Sequence, residues 1–144
     1  TTSTGLVKKV TRVFVVEYIY EFYVSVASGG AFEWTEISST TTTINASHIT
    51  LNSALTWNGV LSSVVDGVVD ESGGRLRISP TPSVDTKLFT LMLPTEISQV
   101  SISTHRPVYY PGFKIVKNGI VIINDSSNGG TSQVPSPYTK SYTF

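Results

Sequence analysis

Alternation with a period of two runs through most of this chain. Between residues 17 and 26, Tyr18, Tyr20, Phe22, Val24 and Val26 fall on one side, and Glu17, Ile19, Glu21, Tyr23 and Ser25 on the other. That is the spacing of a strand with one apolar face. Its Val and aromatic residues lose side-chain freedom in a helix, which makes a helix the second choice for the same run. Ser28-Gly29-Gly30 then predicts a turn, and residues 31–37 a return strand with Phe32 and Trp34 on one side. The two runs together are expected to form a β-hairpin, either a neck ahead of the main domain or a part of it.

Residues 38–43 are six consecutive hydroxyl residues and read as a linker or an edge strand. Short strand pieces are expected at 48–51 and 54–57. Asn58-Gly59 is a strong signal for a type I′ turn. Residues 60–69 are apolar with Asp66-Gly67 inside them, which predicts a further turn or bulge. Residues 75–78 alternate, and 87–93 read as a strand stopped by Pro94. Residues 100–103 alternate again. The runs 113–116 and 120–123 flank Asn118-Gly119 as a hairpin, and 138–144 give a terminal strand. From Ile44 onward this makes eight strands, a number that suits a jelly roll or related sandwich. The reading is therefore all-β: an N-terminal strand or neck element over 1–37 and a jelly-roll-like β-sandwich head over 38–144.

Composition sharpens this picture. Only 14% of residues are charged, ten basic against ten acidic, while 40% are hydrophobic. Polarity comes instead from Ser and Thr. Either the surface is hydroxyl-rich or identical neighbours cover much of it. A balanced charge argues against a nucleic-acid binder, which needs a basic stripe to displace counterions. Cys is absent, so disulfides and thiolate chemistry are excluded. No apolar run reaches the roughly 18 residues that span a bilayer, so no membrane insertion is expected. The opening Thr1-Thr2-Ser3-Thr4-Gly5 reads as a boundary within a longer parent.

Candidate chemistry is sparse. Glu17 and Glu21 share a strand face about 13 Å apart by strand rise, too far for a glycosidase carboxylate pair. Asp66, Asp70 and Glu71 gather around a turn, where Asp is commonly solvated, and no loop has calcium-ligand spacing. His48 and His105 lack nearby metal-ligand partners. No set supplies a nucleophile, a base and an orienting group. The expectation is no enzyme, no cofactor and no metal. Aromatic residues are the better lead, because sugars stack on aromatic faces while a few polar groups fix their hydroxyls. Trp34, Trp57, Tyr109 and Tyr110 are the candidates, with His105, Arg106, Asn124 and Asp125 as hydrogen-bond partners. For both Trp residues the competing role is core or subunit seam.

The order Leu93-Pro94, Arg106-Pro107 and Asn118-Gly119-Ile120-Val121-Ile122 resembles the C-terminal head domains of bacteriophage tail-fibre and baseplate receptor-binding proteins. Trp57-Asn58-Gly59-Val60 resembles an earlier strand of the same family. The likeness runs from about Phe32 to Phe144. It departs from the family at His105, at Pro80-Thr81-Pro82 and at Tyr109-Tyr110-Pro111. The resemblance implies a homotrimeric, non-enzymatic head on the virion that attaches to a saccharide or other receptor of the host cell surface. Two other classes stay open: a carbohydrate-binding module of a secreted bacterial protein, and a purely structural virion component.

Overall fold

The computed structural model describes residues 17–26, 32–79, 82–104, 112–125 and 137–144. Among these described residues there are eleven strands, paired antiparallel. Five form the largest sheet, in the order β10-β9-β1-β7-β4: β10 is Ile120–Asn124, β9 Gly112–Lys117, β1 Tyr18–Val26, β7 Lys87–Leu93 and β4 Ile49–Leu51. A second sheet runs β11-β8-β3, with β11 at Tyr138–Thr143, β8 at Gln99–Thr104 and β3 at Glu36–Ser38. A third runs β2-β6-β5, with β2 at Phe32–Trp34, β6 at Leu76–Ile78 and β5 at Trp57–Gly59. The architecture is an all-β sandwich.

The core lies between the large sheet and the two smaller ones. Tyr20, Phe22 and Val24 of β1 and Phe89 and Leu91 of β7 are fully buried. They meet Trp34 of β2 through Phe89, ring centroids 5.4 Å apart. Phe113 of β9 meets Phe32 of β2 at 5.7 Å and Tyr142 of β11 at 6.2 Å, both edge to face. Each such side chain contributes roughly 1.5–3 kcal/mol by leaving water. Edge-to-face rings also satisfy the aromatic quadrupoles. One buried polar group is held across the layers: the Tyr20 hydroxyl receives the Ile97 N–H at 3.0 Å.

The expected alternation is present over residues 17–25, and so is the strand that Pro94 stops. The hairpin at Asn118-Gly119 also forms. Both residues have positive φ, 47° and 84°, as a type I′ turn requires. The turn is locked to β1, since Asn118 Oδ1 accepts the Ile19 N–H at 2.8 Å and the Asn118 N–H donates to Ile19 O at 2.9 Å.

Two expectations need correction. The N-terminal residues 1–37 do not form a separate neck hairpin where they are described. β1 is the middle strand of the large sheet, paired with β7 and β9, while β2 pairs with β6 and β3 with β8. A strand with one face of Tyr20, Phe22 and Val24 needs a whole core to cover it, and a two-stranded ribbon cannot supply one. The division at residue 38 therefore cuts through a single sandwich. The second correction is Asn58-Gly59, which is not a turn. Both residues lie in β5, opposite Arg77 and Leu76. Gly59 is needed there for close approach, because a Cβ would sit 2.1 Å from the Arg75 carbonyl oxygen.

Candidate functional site

The hydroxyl run after β3 bends away from the sheet and does not extend it as an edge strand. Ser and Thr side chains offer the backbone local alternatives to a ladder, and here they tie the run to the end of β8. Ser39 Oγ donates to Gln99 O, the Thr40 N–H donates to Gln99 Oε1 at 2.9 Å, and Thr41 Oγ1 shares a hydrogen bond with Ser98 Oγ at 3.1 Å. Across from it stands the bend Val65-Asp66-Gly67. Asp66 Oδ1 accepts the Val68 N–H at 2.9 Å, and Gly67 takes a φ of 88°. Between the two lies an open groove of about 530 Å³, lined by residues 36–44 and 65–67.

Glu36 is among the residues that line this groove and is only 3% exposed. Its Oε2 accepts the Gly67 N–H at 2.7 Å, which anchors the bend to β3. Its Oε1 is buried without a hydrogen-bond partner. Burial raises the Glu36 carboxyl above its ordinary value. The Gly67 N–H pulls it back down, and the nearby Asp66 charge pushes it up again. The groove therefore offers hydroxyls and an exposed carboxylate at Asp66, while the unpartnered Glu36 oxygen is shielded within the fold. Among the described residues, no aromatic face lines the groove. Among the described residues, no group of three or more His, Asp or Glu side chains is placed to hold a metal ion.

Of the residues singled out from sequence, His105, Arg106, Tyr109 and Tyr110 lie outside the described residues. Asn124 ends β10, exposed, and its Oδ1 accepts the Ser25 hydroxyl at 2.9 Å. The Asp125 side chain is 8% exposed and engaged inside the fold. It accepts the Tyr142 hydroxyl at 2.7 Å and stands 3.5 Å from Lys140 Nζ. Burial, reinforced by that carboxylate, raises the Tyr142 phenol above its usual range. This cluster pins β11 to the end of β10. Trp57 is half-buried, its ring 5.5 Å from that of the fully buried Trp34, and its Nε1 donates to Asn52 O at 2.9 Å. Trp34 belongs to the core, and Trp57 packs against it from a partly buried position.

Comparison with protein-family models, with curated proteins and with solved structures gives no match. The site therefore rests on its own geometry. Sequence reasoning missed Glu36 and the role of the 38–43 run. The nearest signal was a hydroxyl-only stretch followed by an Asp-Gly bend. What joins them is a contact between residues 36 and 67, which no local pattern encodes.

Proposed function

We propose that this chain is a non-catalytic attachment module: a homotrimeric, jelly-roll-like head of a bacteriophage tail fibre or baseplate that holds a host cell-surface saccharide in the groove between residues 36–44 and 65–67. The observation that carries the saccharide reading is the groove itself. It is concave and lined by Ser and Thr hydroxyls, with the exposed Asp66 carboxylate on the facing bend. The viral setting is supported by the Leu-Pro, Arg-Pro and Asn-Gly order alone. The trimer is supported by low charge and by the exposure of Ile19, Met92, Ile120 and Val121 on the large sheet, apolar side chains that copies of the chain would cover.

The test is binding of purified bacterial surface glycans to the parent and to two variants, Thr42→Val and Asp66→Asn. A bound glycan should lose about 1–3 kcal/mol of affinity on losing a central contact, and no reducing ends should be released. Glycan binding that is untouched by both variants defeats the groove assignment. Light scattering then separates the two settings: three copies support the viral head, and a monomer of 15.6 kDa supports a carbohydrate-binding module of a secreted protein.

A further inference from the structure

The third sheet carries a second concavity, of about 430 Å³, lined by Asn58, Gly59, Arg75, Arg77 and Ser79. Its origin is the alternation along β6. Leu76 and Ile78 point inward and are 1% exposed. Arg75, Arg77 and Ser79 therefore share the outer side at intervals of about 6.6–6.8 Å. Register places Asn58 of β5 directly beside Arg77 on one flank, and Glu33 of β2 on the other. Gly59 lets β5 press against β6, where any side chain would strike the Arg75 carbonyl.

Glu33 is buried beneath the two guanidiniums. Arg75 Nη1 donates to its Oε1 at 3.4 Å, while Arg77 reaches its Oε2 only through Nε, at 4.0 Å. Arg77 is half exposed, and among the described residues its two terminal amino groups have no hydrogen-bond or ion-pair partner. Among the described residues, none that lines the concavity is acidic. Guanidinium, amide and hydroxyl donors thus converge on one hollow. The guanidinium fork fits the paired oxygens of a carboxylate or phosphate.

We propose that this hollow is an anion site that takes the carboxylate or phosphate group of an acidic saccharide, with the Arg77 fork as its principal ligand and Asn58 beside it. It rests on the saccharide reading only for the source of the anion. The experiment is a calorimetric titration at low ionic strength with glucuronate, inorganic phosphate and, as the neutral control, glucose. The parent should bind glucuronate or phosphate at least tenfold more tightly than glucose. Tighter glucuronate assigns a carboxylate, and tighter phosphate assigns a phosphate group. Arg77→Gln should lose at least tenfold. Arg77→Lys should fall between, keeping charge but losing the fork. Asn58→Leu, at an exposed position that leaves Glu33 paired, should also weaken binding and decides the matter if Arg77→Gln fails to fold. Binding of both anions no tighter than glucose overturns the proposal, as does unchanged binding in Asn58→Leu and every folded Arg77 variant. Because inorganic phosphate contains no sugar, the site can stand when the saccharide reading falls. Sensitivity to Arg77 with indifference to Thr42→Val separates it from the hydroxyl groove.

Discussion

Glu33 and Glu36 lie three positions apart in one extended stretch, and both are buried, at 1% and 3% exposure. The fold treats them in opposite ways. Glu33 is met by Arg75 and Arg77 from the neighbouring strand. Glu36 has a backbone N–H on one oxygen, nothing on the other, and a like charge nearby. A buried carboxylate must be paired or must hold its proton to higher pH. Two consecutive strands thus place a paired acid beside a basic hollow and an acid with one unpartnered oxygen beside a hydroxyl groove. The difference comes from register. β2 lies along β6, which presents Arg77, and β3 lies along β8, which presents Ser103 and Ser101.

Removing the cations breaks the comparison most sharply. The double change Arg75→Gln and Arg77→Gln leaves Glu33 buried without its guanidiniums. It should cost about 3 kcal/mol, the lower end for a broken buried pair, because both guanidiniums are half exposed. Adding Glu33→Gln should return most of that loss, and chemical denaturation of the three proteins measures it.

Gly59→Ala comes next. It meets both an unfavourable φ of 118° and the Arg75 carbonyl oxygen at 2.1 Å. A loss of about 2 kcal/mol is expected, with β5 displaced from the strand that carries the arginines. Thermal unfolding reads the loss, and weakened anion binding reads the displacement.

Glu36→Gln sharpens the contrast through pH. The folded-state carboxyl is raised above its ordinary value of 4.5, so the folded protein keeps this proton where the unfolded chain has released it. The stability this contributes is full below about pH 4.5 and is lost as pH rises through the folded value. The Gln variant should therefore be more stable than the parent at neutral pH, and the two stability curves should converge below pH 4.5. Denaturation across pH 3.5 to 8 tests the sign. A parent that gains stability relative to the variant as pH rises would contradict it.

The smallest effect belongs to the outer face of the large sheet, where Lys87 Nζ pairs with Glu21 at 2.8 Å in partial exposure. Lys87→Ala should cost about 0.2–1 kcal/mol, and high salt should erase most of it. The coupling of Glu33 to its arginines should survive salt better, because a buried carboxylate is screened less.

The parts of this fold legible in the sequence were those decided locally. Alternation fixed which face of β1 is buried. Pro94 ended β7 because it cannot donate to a ladder, and Asn118-Gly119 made a hairpin because both residues tolerate positive φ. Asn58-Gly59 carries the same local signal, yet tertiary pairing claimed it for β5, where the glycine answers a clash with Arg75 and not a turn. Strand partners were equally hidden. Nothing in residues 17–37 says that β1 joins β7 and β9, which lie far along the chain. Both candidate hollows share that property. Glu36 meets the bend at Gly67, and Glu33 meets Arg75 and Arg77, through contacts that span tens of residues. Asn124, Asp125 and Trp57 were chosen for their side-chain chemistry. The fold uses Asp125 and Trp57 internally, because a polar group or indole that is mostly buried must find its partners within the protein.

The central claim is that the hydroxyl groove is where a surface saccharide sits. Amide chemical-shift mapping of nitrogen-labelled protein, titrated with oligosaccharides released from bacterial surface polysaccharide, tests it most directly. The predicted result is a saturable set of shifts centred on residues 36–44 and 65–67, diminished in Thr42→Val and Asp66→Asn. Saturable shifts confined to other parts of the sandwich, or none at millimolar oligosaccharide, would contradict it.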